Sequence, residues 1–107
     1  MGKGNGVHMR KIDLKSGNVI YNEFNISFNM PLSEQLESLT EDLIQIEYDN
    51  GYLIDIGWYP EYDAEGNFIV QLIKDYNWEN PIYKQGCKED KQLKKILLKA
   101  IEKIGCV

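Results

Sequence analysis

The apolar positions near the C-terminus repeat with the period of an α-helix. Leu93, Ile96, Leu97, Ala100, Ile101 and Ile104 fall at i, i+3, i+4, i+7, i+8 and i+11, a single stripe backed by Lys91, Lys94, Lys95, Lys99 and Lys103. Glu89 and Asp90 complement the positive end of the helix dipole, Lys103 complements the negative end, and Gly105 can end the helix in the left-handed conformation. Such a stripe needs an apolar surface to lie on. The middle of the chain supplies one, because residues 43–48, 52–59 and 68–74 read as strands separated by Asp49-Asn50-Gly51 and by Asp63-Ala64-Glu65-Gly66-Asn67. Pro81 permits a short edge strand at 82–84, since proline is tolerated at a strand start but not in a central ladder. Upstream, residues 10–14 and 19–28, joined by Ser16-Gly17, read as another hairpin. A short helix is predicted after Pro31, running to about Asp42, with Ser33 as N-cap and Leu36, Leu39 and Leu43 on one side.

The Asn-Gly turn fixes a register. A two-residue loop would place Ile46 opposite Asp55 and Ile44 opposite Gly57, mixing polar and apolar partners. A three-residue loop with Gly51 in the left-handed bulge position pairs Tyr48 with Tyr52, Ile46 with Ile54 and Ile44 with Ile56, which segregates the faces. The same loop type at Ala64-Glu65-Gly66 sets Tyr62 opposite Phe68 and Trp58 opposite Leu72, with Trp58 in the core. The second face then carries Gln45, Glu47, Asp55, Tyr59 and Gln71, together with Leu53, Ile69 and Ile73. Either the N-terminal hairpin or helix covers part of it, or a partner does.

These elements make an α+β domain: an antiparallel meander with the amphipathic C-terminal helix on one face and a short helix before the meander. A chain of 107 residues has room for one such domain, assigned to residues 9–107. Residues 1–8 are Gly-rich without apolar period, and His8-Met9 resembles a cloning junction followed by an initiator, so they are read as a vector remnant. Cys87 and Cys106 bracket a helix that holds them roughly 25 Å apart at about 1.5 Å per residue, beyond the reach of about 7 Å of a disulfide. Two free thiols fit a reducing cytoplasm. No run has the length of a membrane span and no signal peptide is recognised, so no membrane partner is expected.

Charge adds what periodicity does not show. Residues 41–79 hold ten carboxylates, one basic residue, Lys74, and eight of the twelve aromatic side chains. The N-terminal third is neutral, and residues from Asn80 onward carry seven lysines against three acids, so a net charge of −5 conceals a band of −9 beside a segment of +4. Fields of this kind steer association with oppositely charged partners.

Catalytic chemistry finds no support in the pattern. Glu47 and Asp55 share a sheet face as diagonal neighbours, yet a carboxylate pair needs a cleft and environments that separate its pKa values; a solvated polar face or an electrostatic docking surface explains them better. The loop from Asp63 has its glycine at position 4 and Lys74 at position 12, which excludes an EF-hand. Two cysteines without C-x-x-C spacing or a native histidine exclude a zinc site. Lys3-Gly4-Asn5-Gly6 follows no strand and precedes no helix, unlike a phosphate loop. The lysine row lies opposite the helix stripe and the pI is near 4.8, which argues against a nucleic-acid partner. No enzyme activity, cofactor or metal is therefore expected.

The acidic, aromatic surface is then read as a solvated polar face or as an electrostatic docking surface for a protein. Glu47, Asp55 and Tyr59 on the second face, Glu61, Asp63 and Glu65 in the loop after it, and Asp75, Trp78 and Glu79 in the next loop form the expected partner surface. Trp78 lies in a polar loop where either an interface anchor or local packing accounts for it.

The acidic meander, the lysine-bearing helix and the run Leu53-Ile54-Asp55-Ile56-Gly57-Trp58-Tyr59-Pro60-Glu61 resemble bacterial polymorphic-toxin immunity proteins, nearest to those of contact-dependent growth inhibition. The resemblance covers residues 43–104 and carries over no individual contact residue. It implies a cytoplasmic inhibitor of a cognate toxin domain, often a basic nuclease, whose active site or substrate surface it blocks. Two other classes share the surface chemistry: a phage or mobile-element DNA mimic that binds a host nucleic-acid-binding protein, and a small-ligand or enzymatic module built on the Asp55 face.

Overall fold

The computed structural model describes residues 12–105. Five strands, β1 (Asn18–Asn22), β2 (Ile44–Glu47), β3 (Tyr52–Tyr59), β4 (Asn67–Lys74) and β5 (Tyr83–Cys87), form one antiparallel sheet in sequence order, followed by helix α1 (Asp90–Ile104). The fold is α+β. At the Asn-Gly turn Ile46 opposes Ile54 and Ile44 opposes Ile56. The Tyr48 N–H donates to the Tyr52 carbonyl at 2.9 Å, and Gly51 has φ +89°. The three-residue loop that segregates the faces is the one formed.

One face of the sheet and α1 enclose the core. The helix packs against β4 and β5 and buries Leu93, Leu97, Ala100, Ile101 and Ile104. These meet Ile44, Ile46, Ile54, Ile56, Trp58, Phe68, Val70 and Leu72 from the sheet, and removal of this apolar area from water is the main force holding the layers together. Trp58 stands edge-on to Phe68 with centroids 4.8 Å apart, and its indole N–H donates to the Asp63 carbonyl at 2.8 Å. A large ring is thereby buried without orphaning its polar atom. Gly105 ends the helix with φ +90° and ψ −141°, a positive φ but outside the left-handed helical region expected for it.

Other local expectations also differ from the structure. Trp58 opposes Phe68, and Ile54 opposes Leu72, so the β3–β4 register lies four residues from the one in which Tyr62 faces Phe68. The chain leaves the ladder after Tyr59 because Pro60 has no N–H and other bonds hold the loop: the Tyr62 N–H donates to the Leu39 carbonyl at 2.8 Å, and the Gly66 N–H to the Asp63 carbonyl at 2.9 Å. An even shift preserves facing, so Trp58 stays in the core.

The helix expected after Pro31 is two 3-10 turns, Leu32–Glu34 and Leu36–Ser38. Gln35 divides them with φ −141°. Its side-chain amide accepts from the Ser27 N–H at 2.8 Å and donates to the Ser27 carbonyl at 2.7 Å, which ties the turns to the preceding loop. Leu39 and Leu43 enter the core while Leu36 stays exposed.

The upstream hairpin is also different. β1 pairs with β2, with a bulge between Val19 and Tyr21, and Ile12 turns into the core instead of continuing a ladder. The Arg10 end of that expected hairpin, the reading of residues 1–8 and the position of Cys106 lie outside the described residues. The last strand runs to Cys87, longer than the expected 82–84.

Candidate functional site

The residues expected to meet a partner are divided between the two ends of the sheet. β3 alone separates those ends by about 23 Å at roughly 3.3 Å per residue. At one end, Tyr59 closes β3, and Glu61, Asp63 and Glu65 stand exposed on the loop that follows. The segment before β2 adds Glu41 and Asp42 there, because the Trp58 N–H donates to the Thr40 carbonyl at 2.9 Å and the Leu43 N–H to the Ile56 carbonyl at 3.0 Å. The Glu41 carbonyl consequently sits directly on Gly57, where any Cβ would collide with it.

Tyr59 registers the resulting field. Its hydroxyl donates to the Glu41 carbonyl at 3.4 Å, and its pKa is pushed up to about 12, first by burial and then by the charges of Asp55, Glu41, Asp42 and Glu61. A phenol so placed stays protonated and serves as a donor, not as a base.

Asp55 lies between the ends and differs from the exposed carboxylate expected of it. It opposes Gln45 on one side and Gln71 on the other and is only 3 % exposed. Gln45 Nε2 donates to Asp55 Oδ1 at 3.0 Å. Burial raises the Asp55 pKa, the Gln45 bond opposes the rise, and Asp42 reinforces it. Asp55 is a structural group beneath the face and not a contact on it.

The second end gathers Glu47, Asp75, Trp78 and Glu79, all exposed. A type I′-like turn at 74–77, closed by the Asn77 N–H to the Lys74 carbonyl at 3.1 Å, holds Asp75 and Tyr76 at φ +53° and +60°. Tyr76 then reaches back across the sheet end and its hydroxyl donates to Glu47 Oε2 at 3.3 Å. The Asp75 N–H donates to the Gly51 carbonyl at 2.8 Å, and a Cβ on Gly51 would meet Asp75 Oδ1 at 2.5 Å. Glycine there supplies both the positive φ and the close approach. Glu47, Gly51, Tyr52, Leu53, Asp75 and Tyr76, with Tyr48, line a cavity of about 160 Å³.

Sequence reasoning missed the aromatic part of this pocket. The pairing of Tyr48 with Tyr52 across the Asn-Gly loop is the signal the sequence offers for it. Nothing in the sequence announced that Tyr76 adopts a left-handed conformation. Trp78 is 44 % exposed, with no periodic element around it.

Both ion pairs among the described residues, Lys15 with Asp13 and Lys99 with Glu102, lie outside the acidic band. Lys74, the band's one cation, instead rests over the Tyr52 ring at 4.6 Å. Among the described residues no group of three or more His, Cys, Asp or Glu is arranged to hold a metal ion, and no helix is long and apolar enough to cross a membrane. No protein-family model, curated protein or solved structure matches the chain.

Proposed function

We propose that the protein is an immunity-type inhibitor that binds a cognate toxin domain with a basic surface, such as a nuclease, in the bacterial cytoplasm. The observation that supports this reading is the uncompensated band: none of its ten carboxylates has a cationic partner within salt-bridge distance among the described residues. A nuclease presents lysines and arginines to phosphate, and a carboxylate surface with exposed aromatic anchors can occupy them and associate rapidly under electrostatic steering. Tyr62, Tyr76 and Trp78 are the exposed aromatics of the band. The buried position of Asp55 disfavours a ligand module centred on it.

The test is co-expression with the C-terminal domain of a toxin encoded beside this gene. Restored growth and a stable stoichiometric complex support the proposal. Absence of a complex, or indiscriminate binding to several unrelated DNA-binding proteins, refutes it, and the second result favours a DNA mimic.

A further inference from the structure

The pocket at the Asn-Gly end has a chemistry of its own. Its volume of about 160 Å³ is that of one long side chain, not of a drug-sized ligand. Its walls combine two carboxylates, Glu47 and Asp75, with the rings of Tyr52 and Tyr76. That combination of negative charge and aromatic faces favours a cation over a neutral or anionic group. The chain already provides a precedent, since Lys74 Nζ lies 4.6 Å from the centroid of Tyr52. Lys74 makes no ion pair with Glu47 or Asp75 at 4 Å or less, and among the described residues neither carboxylate has a cationic partner.

We infer that this pocket receives a cationic side chain, arginine or lysine, of a protein partner, with Glu47 and Asp75 pairing the charge and Tyr76 covering it. This rests on the reading that the acidic band meets a basic protein, and it selects the Asn-Gly end as the place where a partner residue is inserted. The backbone is built for it. Asp75 and Tyr76 stand consecutively at positive φ, and their effect is to bring the Asp75 carboxylate against Gly51 and the Tyr76 hydroxyl onto Glu47. Strain of this kind persists where the surroundings fix it, and it clusters at ligand clamps.

The test uses the full chain, labelled with ¹⁵N, and titrates N-acetyl-arginine methylamide against its neutral analogue N-acetyl-citrulline methylamide. Saturable amide shifts at Gly51, Asp75 and Tyr76 with the arginine probe alone support the site. The double substitution Glu47→Gln and Asp75→Asn should weaken that binding about five- to tenfold, the sum of two exposed ion pairs. Tyr76→Leu should weaken it about two- to fivefold through loss of the ring face, and Lys74→Met should strengthen it by removing a competing cation. Equal shifts with citrulline, shifts scattered over the whole acidic band, or no shift at all would overturn the site. The partner separates the two proposals: arginine binding without toxin binding retains the pocket and removes the toxin reading, whereas toxin affinity unchanged by the double substitution does the reverse.

Discussion

Replacing Gly57 by alanine should destabilise the protein far more than the same change at Gly86, although both glycines lie in one cross-strand row with Ile69 between them. A Cβ at position 57 collides with the Glu41 carbonyl, a backbone atom that cannot rotate away. Relieving that overlap costs about 1–3 kcal/mol. It also pulls on the flanking bonds from Trp58 N–H to the Thr40 carbonyl and from Leu43 N–H to the Ile56 carbonyl, each worth about 1 kcal/mol net. The lower entropy of the unfolded alanine chain returns about 0.4–1 kcal/mol. Gly57→Ala should therefore lose about 2–4 kcal/mol by these terms together. At Gly86 an added Cβ would meet Ile69 Cδ1 at 3.2 Å, the end of a flexible side chain, and the Phe68 carbonyl oxygen at 3.3 Å, both relieved by a shift of a few tenths of an ångström, so Gly86→Ala should stay within about 1 kcal/mol of the parent. Urea unfolding followed by circular dichroism reads both. Equal midpoints for the two variants would refute the placement of Glu41 over β3.

Two further substitutions test the core and the buried carboxylate. Leu97 is fully buried and Lys95 exposed, so Leu97→Ala should cost about 2–5 kcal/mol and Lys95→Ala less than about 0.5 kcal/mol in the same assay; similar losses would contradict the helix orientation. Asp55 has a raised pKa in the folded state, so its contribution is most favourable below its ordinary value of 3.8 and is lost as pH rises through the folded pKa. Asp55→Asn, which can still accept from Gln45, should accordingly raise Tm at pH 7, with the gain shrinking towards pH 3.5; a Tm lowered more at pH 7 than at pH 3.5 would show that the ionised Asp55 carboxylate stabilises the fold and would refute this reading.

The central strands and the last helix were legible because their side chains obey periods of two and 3.6, and because Gly51 allows only one loop that keeps Ile46 opposite Ile54. Trp58 faced the core in either β3–β4 register for the same reason of parity. The loop after Tyr59 was not legible, since it is held by Leu39 and by the Trp58 indole, partners distant in sequence or invisible to turn chemistry. The 3-10 turns escaped because Gln35 binds the Ser27 backbone eight residues away. The candidate surface was legible as composition but not as shape. Asp55 is buried, and the pocket depends on the left-handed turn at Asp75 and Tyr76, so a band contiguous in sequence became two separate ends.

The most direct measurement of the proposed function is the kinetics of binding to a toxin domain encoded beside this gene at two ionic strengths, for the parent and for two variants. Reversing Glu61, Asp63 and Glu65 together should slow association and flatten its salt dependence, because exposed charges act on the encounter. Trp78→Ala should raise the dissociation rate and cost about 2 kcal/mol or more as an interface anchor, with the fold intact. An association rate indifferent both to salt and to the three reversals would contradict the claim that the acidic band recognises a basic partner.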